Sequence, residues 1–143
     1  MQRRSSLVSP YRGSPEIIAI DRPRLLDELR EVAARLVQDD PDVLQIILYG
    51  SVAKGRYTPE SDIDILIVVR ESNSRFLERR DAFSPHFLHL PMDVDIKVYT
   101  FGEVKKMLEN GNPFMKEVME TGIPLGQKAF TTEDTQGTRY RIE

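Results

Sequence analysis

Hydrophobic positions fall into distinct periods along this chain. Between Pro23 and Val37, Leu25, Leu29, Val32 and Leu36 recur at four- and three-residue spacing, and Leu26, Ala33 and Val37 widen the stripe. That spacing predicts an amphipathic helix with one buried face. Asp21 can cap its start, Pro23 is tolerated in the first turn, and Asp39-Asp40-Pro41 ends it. Val43 to Tyr49 is a nearly continuous apolar run, as expected of a strand buried on both faces, and Gly50 stops it. Ile63 to Val69 is a second such strand, with polar residues confined to its start. Met92 to Tyr99 instead alternates, with Val94, Ile96 and Val98 on one face and Asp93, Asp95, Lys97 and Tyr99 on the other.

The remaining segments read as helices and connections. Residues 51–61 predict a short helical turn and then a loop. Glu71 to Ser84 predicts a helix with Phe76, Leu77 and Phe83 inward and Glu78, Arg79, Arg80 and Asp81 forming a solvated face. Thr100 can cap a helix running to about Glu109; Gly111-Asn112-Pro113 breaks it, and Phe114 to Glu120 gives one more short helix, packed into the core. Residues 1–15 read as a mobile tail, Glu16 to Ile20 as a short strand or lead-in, and residues 127–143 as a polar tail, leaving a folded unit over 16–126. The order helix, strand, strand, helix, strand, helix, helix predicts an α/β (α+β) domain, with helices packed on a small mixed sheet.

At 143 residues the chain is long enough for one domain with a real core and too short for two. It has no apolar run of membrane-spanning length, and its basic start lacks the apolar stretch of a signal peptide, so a cytoplasmic location is expected. The absence of cysteine excludes disulfides, thiolate zinc sites and a cysteine nucleophile. His86 and His89, the only histidines, sit among apolar neighbours between two prolines and read as core-edge residues rather than as a zinc pair. A formal net charge of −3 argues against broad nucleic-acid binding, although Lys54 and Arg56 could form a local basic pocket.

The chemistry concentrates after the first strand. Gly50-Ser51 is followed, ten residues later, by Asp62-Ile63-Asp64 at the head of the second strand. A glycine-serine turn offers a hydroxyl and backbone N–H groups where phosphate oxygens could sit. Aspartates at i and i+2 point to one face of a strand and are hard oxygen ligands suited to magnesium. An acidic pair alone is weak evidence. With the glycine-serine spacing added, the combination arises by chance on the order of once per thousand chains of this length. Asp93 and Asp95 share the polar face of the alternating strand and can supply a third carboxylate. Three carboxylates suit two-metal phosphoryl chemistry, in which one ion activates the attacking oxygen and the other steadies the leaving group. On the bland alternative, the aspartates merely solubilise a strand end and Gly50 makes a turn; that accounts for each residue separately but not for their joint arrangement.

The segments Leu48-Tyr49-Gly50-Ser51-Val52-Ala53-Lys54-Gly55 and Ser61-Asp62-Ile63-Asp64-Ile65-Leu66 resemble the signature of the polymerase-beta-like nucleotidyltransferases. More narrowly, the chain is similar to the minimal nucleotidyltransferases found beside HEPN-domain proteins. The resemblance spans roughly residues 22–125, and its specific part is confined to residues 48–66 and 93–99. It implies that Asp62, Asp64 and Asp95 are catalytic and bind two Mg2+ ions. The third of these falls in Val94-Asp95-Ile96, which favours Asp95 over Asp93. It further implies that Gly50 and Ser51 hold the β- and γ-phosphates of ATP, with Lys54 and Ser61 also at the nucleotide. Where Lys54 stands the family often has arginine, so the charge is kept without the bidentate fork. Lys97 reads as an ion-pair partner that neutralises Asp93, with contact to the triphosphate as the alternative.

For relatives paired with HEPN proteins, the resemblance implies transfer of AMP to a tyrosine of the partner toxin, making the chain its antitoxin. Larger relatives carry a second, helical domain. None is visible in this sequence, so a partner protein is expected to complete the acceptor side. A catalytically silent antitoxin that acts by binding alone, and a small-molecule nucleotidyltransferase of the aminoglycoside-modifying kind, stand as alternatives.

Overall fold

The computed structural model describes residues 21–128. Helix α1 (Arg22–Asp39) starts as its sequence requires: the Asp21 carboxylate accepts a hydrogen bond from the Arg24 N–H at 3.3 Å, with Pro23 in the first turn. Its apolar stripe Leu25, Leu29, Val32, Ala33 and Leu36 is buried as predicted. Strand β1 (Val43–Tyr49) follows, then the five-residue helix α2 (Gly50–Lys54), a loop, and strand β2 (Ile63–Val69). After a one-turn helix α3 (Phe76–Arg79) and two 3-10 turns (Arg80–Ala82 and Ser84–Phe87), the chain enters strand β3 (Val94–Thr100), helix α4 (Phe101–Glu109), helix α5 (Pro113–Thr121) and strand β4 (Ile123–Gln127).

The sheet is mixed, in the order β3-β2-β1-β4. Strands β2 and β3 are parallel, whereas β1 runs antiparallel to both β2 and β4. Its two faces carry separate apolar clusters. Ile46, Leu48, Ile63, Ile65, Ile67, Ile96 and Val98 pack with α1 and with Phe83, Phe87 and Leu90; Ile47, Leu66 and Val68 pack beneath Val104, Met115 and Val118 of α4 and α5. Residues from Val43 to Leu48 are therefore buried throughout, as their uninterrupted apolar run predicted. Along β2, Asp64 falls in the same row as Leu66 and Val68. It lies at the end of that row and is only partly buried.

Two expectations need correction. The segment 71–84 is not one helix. Residues 71–75 are irregular, α3 lasts a single turn, and the chain tightens to i→i+3 bonding before Pro85, with Phe83 N–H bonded to Arg80 O at 2.9 Å. Phe76 and Leu77 are exposed instead of buried, and Arg79 is turned inward instead of outward, forming a two-pronged ion pair with Glu103 at 2.7 and 3.1 Å. That pair fixes α3 against the start of α4, where Thr100 and Glu103 form a reciprocal cap.

The second correction is β4, which the sequence reading leaves out. Pro124 and Gly126 look like breakers, but an edge strand accepts both. A Cβ at Gly126 would lie 3.1 Å from the Ala33 Cβ, so the glycine lets α1 pack closely on this edge. Residues 127–143, expected as a polar tail, begin inside the sheet: the Gln45 amide donates to Gln127 Oε1 at 3.1 Å, and Lys128 N–H bonds Leu44 O. The short strand expected at Glu16 to Ile20 and residues 129–143 lie outside the described residues.

Candidate active site

The register of the sheet assembles the site. Tyr49 on β1 is the cross-strand partner of Asp64 on β2, and Asp64 is the register partner of Asp95 on β3. The row Tyr49–Asp64–Asp95 therefore crosses three strands at one end of the sheet. Two carboxylates on adjacent strands repel one another. Burial, followed by the charges of Asp95 and Asp62, pushes the Asp64 carboxyl above its ordinary pKa, with the Lys97 charge opposing. Asp62 precedes β2 and is exposed. Asp93 also precedes its strand; its backbone carbonyl accepts from Ile63 N–H at 2.8 Å, holding the start of β3 against that of β2. Asp95, rather than Asp93, is thus the β3 carboxylate set beside Asp64.

Gly50 makes the bend from β1 into α2 beside this row. Its φ is +80°, a left-handed conformation that disfavours side chains, and a Cβ there would run into the Asp64 carboxylate, 3.1 Å from its Cγ. Ser51 follows in α2. Ser61 staples the loop before Asp62, its hydroxyl accepting from Thr58 N–H at 2.9 Å. Lys54 is directed elsewhere, its ammonium bonded to Glu117 on α5 at 2.7 Å. Among the described residues the cation at the carboxylates is Lys97, and it pairs with Asp95, Nζ to Oδ2 2.7 Å, instead of the expected Asp93, because residues two apart on a strand share a face. Burial pulls the Lys97 pKa down, but its bond to Asp95 and its nearness to Tyr49 hold it above the ordinary value. Burial likewise raises the Tyr49 phenol, against the opposing Lys97 charge, and the Tyr49 hydroxyl is buried without a well-formed hydrogen bond.

The sequence model for the nucleotidyltransferase domain matches residues 26–120. The chain belongs to that family. A nucleotidyltransferase relative from Methanocaldococcus jannaschii, named "Putative protein adenylyltransferase MJ1379", is 30% identical over 107 residues, which make up 70% of this chain and 96% of that protein. A second from the same organism, "Putative protein adenylyltransferase MJ0141", is 38% identical over 47 residues, or 33% of this chain and 46% of that one. The fold matches the solved structure of "a putative nucleotidyltransferase from Sulfolobus solfataricus" with a TM-score of 0.52 and 23% identity, over 77% of this chain and 88% of that one. A toxin-antitoxin structure with AMP-PNP is more distant, at TM-score 0.45 and 20% identity over 76% and 77% of the two chains, and carries no weight here. The resemblance carried by residues 48–66 is thus borne out at the level of the family, and the mixed sheet with its helices is the polymerase-beta-like nucleotidyltransferase fold.

The donors of this nucleotidyltransferase are of the kind a hard divalent cation takes: carboxylate oxygens only, with the Gly50 backbone free to close on Asp64 because it carries no side chain. Among the described residues, no three acidic or histidine side chains converge closely enough to hold a metal ion, and Asp95 commits one oxygen to Lys97. His86 lies in a 3-10 turn and His89 just beyond it. No helix among the described residues is long and apolar enough to cross a membrane.

Sequence reasoning missed Arg22. Its guanidinium donates to the carbonyls of Val52 and Ala53 at 3.1 and 2.9 Å, tying the end of α2 to the start of α1. It also missed an aromatic row beside the carboxylates. Tyr49 meets Phe114 edge-on at 5.5 Å between ring centres, Phe114 meets Tyr99 at 6.5 Å, and Phe76 packs on Tyr99 at 4.9 Å. Aromatic residues at positions facing the carboxylate strand were the only signal for it in the sequence.

Proposed function

We propose that this chain transfers AMP from ATP to a hydroxyl, expected to be a tyrosine, of a HEPN-type toxin and thereby acts as its antitoxin. The observation that carries the reading is the row of Asp64 and Asp95, in register on adjacent strands, with the Gly50 backbone set directly against Asp64. Relatives named as protein adenylyltransferases support a protein acceptor.

Asp62, Asp64 and Asp95 would hold two Mg2+ ions. Bound there, the ions would supply charge neutralisation for the triphosphate and activation of the acceptor oxygen. Need for a cation also follows from charge balance: among the described residues, three carboxylates against the Lys97 ammonium leave the site net negative, which repels a triphosphate. Gly50 and Ser51 line the approach for the phosphates, with Ser61 fixing the loop that carries Asp62. Lys54 could reach the nucleotide only by leaving Glu117. In the transfer, the acceptor hydroxyl oxygen bonds to the α-phosphorus and the bond to the pyrophosphate oxygen breaks. The hydroxyl proton leaves to solvent or to a carboxylate of the row.

The test is to incubate the protein with ATP labelled in the adenylate moiety, Mg2+ and the product of the neighbouring gene. Label entering the partner, and lost in the Asp62→Asn and Asp64→Asn variants, is the expected result. Neutralisation of the partner that survives both substitutions, with no label transferred, would instead make the chain a binding antitoxin.

A further inference from the structure

Asp95 and Lys97 lie two residues apart on β3, so their side chains leave the same face of the sheet. The ion pair they form is about one-third exposed at each end. Such a pair on an open surface contributes little to stability. This one occupies a carboxylate whose register partner, Asp64, is a second carboxylate. The ammonium therefore sits where a cation is most needed.

Lys97 also has a second place to go. The Tyr49 hydroxyl is close enough for the lysine charge to act on it, yet it is buried and lacks a well-formed hydrogen bond. A buried phenol this poorly bonded is costly, and the Lys97 ammonium, already in weak reach of it, can satisfy it by moving fully onto it. Tyr49 directly precedes Gly50 and sits across from Asp64, so an ammonium moved to its hydroxyl would stay within the site.

We propose that Lys97 is a resident placeholder for the divalent cation, holding Asp95 in the metal-free protein and passing to the Tyr49 hydroxyl when the cation takes that carboxylate. This rests on the reading that Asp62, Asp64 and Asp95 form the metal site. Lys97 is then a positioning residue with two stations. It keeps Asp95 from repelling Asp64 while the site is metal-free, and it sets a threshold for metal entry. A triphosphate lowers that threshold, because it offers the displaced ammonium a new anion. Metal and nucleotide are thereby coupled in binding.

The test measures Mn2+ binding to the full chain without nucleotide, by electron paramagnetic resonance, for the wild type, Lys97→Met and Lys97→Arg. Removing the competing ammonium is expected to tighten Mn2+ binding on the order of tenfold in Lys97→Met, with Lys97→Arg close to wild type. Equal or weaker binding by Lys97→Met overturns the placeholder role and leaves the metal site standing. Absence of Mn2+ binding in all three proteins overturns both. Should Lys97→Met fail to fold, the wild-type chain decides through the NMR signal of the Lys97 ammonium during a Mg2+ titration. A shift at saturation that is altered in Tyr49→Phe supports the exchange of stations, and an unmoved signal overturns it.

Discussion

The backbone of Gly50 lies against the carboxylate of Asp64, so closely that any side chain at position 50 would displace it. One residue thus couples the bend after β1 to the placement of the carboxylate on β2. Gly50→Ala should cost about 1–2 kcal/mol for the left-handed backbone alone, and should also push Asp64 out of the row. Urea unfolding will read the first effect and Mn2+ binding the second. Gly55 has a similar positive φ with nothing near its missing Cβ. Gly55→Ala should therefore show a comparable backbone cost with metal binding intact.

Burial, and after it the charges of Asp95 and Asp62, raise the Asp64 pKa, so the folded protein disfavours its charge. Asp64→Asn keeps the shape and removes the charge. In the metal-free protein at neutral pH it should raise stability, by about 0.5–1 kcal/mol after allowing for the water that reaches this carboxylate. AMP transfer should be lost in the same variant. Calorimetry beside a transfer assay would show the two effects moving in opposite directions, as expected of a residue kept for function.

Arg79 and Glu103 tie α3 to α4 away from the carboxylates. The bond from Arg79, ahead of the cap bonds at Thr100, holds the Glu103 carboxyl below its ordinary value of 4.5, against the opposing effect of burial. A lowered folded-state pKa gives stability that is present above the unfolded value and lost as pH falls through the folded one. Glu103→Gln should therefore be about 1 kcal/mol less stable than wild type at neutral pH, a modest figure because the carboxylate is partly exposed. The gap should close as pH drops below 4.5. Denaturant midpoints at a series of pH values would check it.

Lys54 bonds Glu117. If Lys54 serves the triphosphate, Glu117 competes for it, and Glu117→Gln should tighten ATP binding by a small factor that fades at high salt. Isothermal titration at two ionic strengths would measure this.

Elements with long, unbroken periods were legible in the sequence: the Leu25 to Leu36 stripe, the apolar runs of β1 and β2, and the alternation of β3. The last also foretold that Asp95 and Lys97 would share a face of β3, whereas the register that sets Asp95 beside Asp64 came from the sheet. Hidden features were those decided by partners far along the chain. Pro124 and Gly126 mask an edge strand whose existence depends on β1 and Ala33. Arg79 reads as a surface charge until Glu103, 24 residues on, turns it inward. The contacts of Arg22 with Val52 and of Lys54 with Glu117 span 30 and 63 residues. Neither has a local signature.

The central claim is adenylyl transfer, and the position of the label in ATP tests it most directly. The purified chain, Mg2+ and its partner protein would be incubated in parallel with ATP labelled at the α-phosphorus and at the γ-phosphorus. The account predicts α-label covalently bound to the partner, γ-label released as pyrophosphate, and neither event with Asp64→Asn. Label from the γ-position on the partner, or α-label transferred equally well by Asp64→Asn, would contradict it.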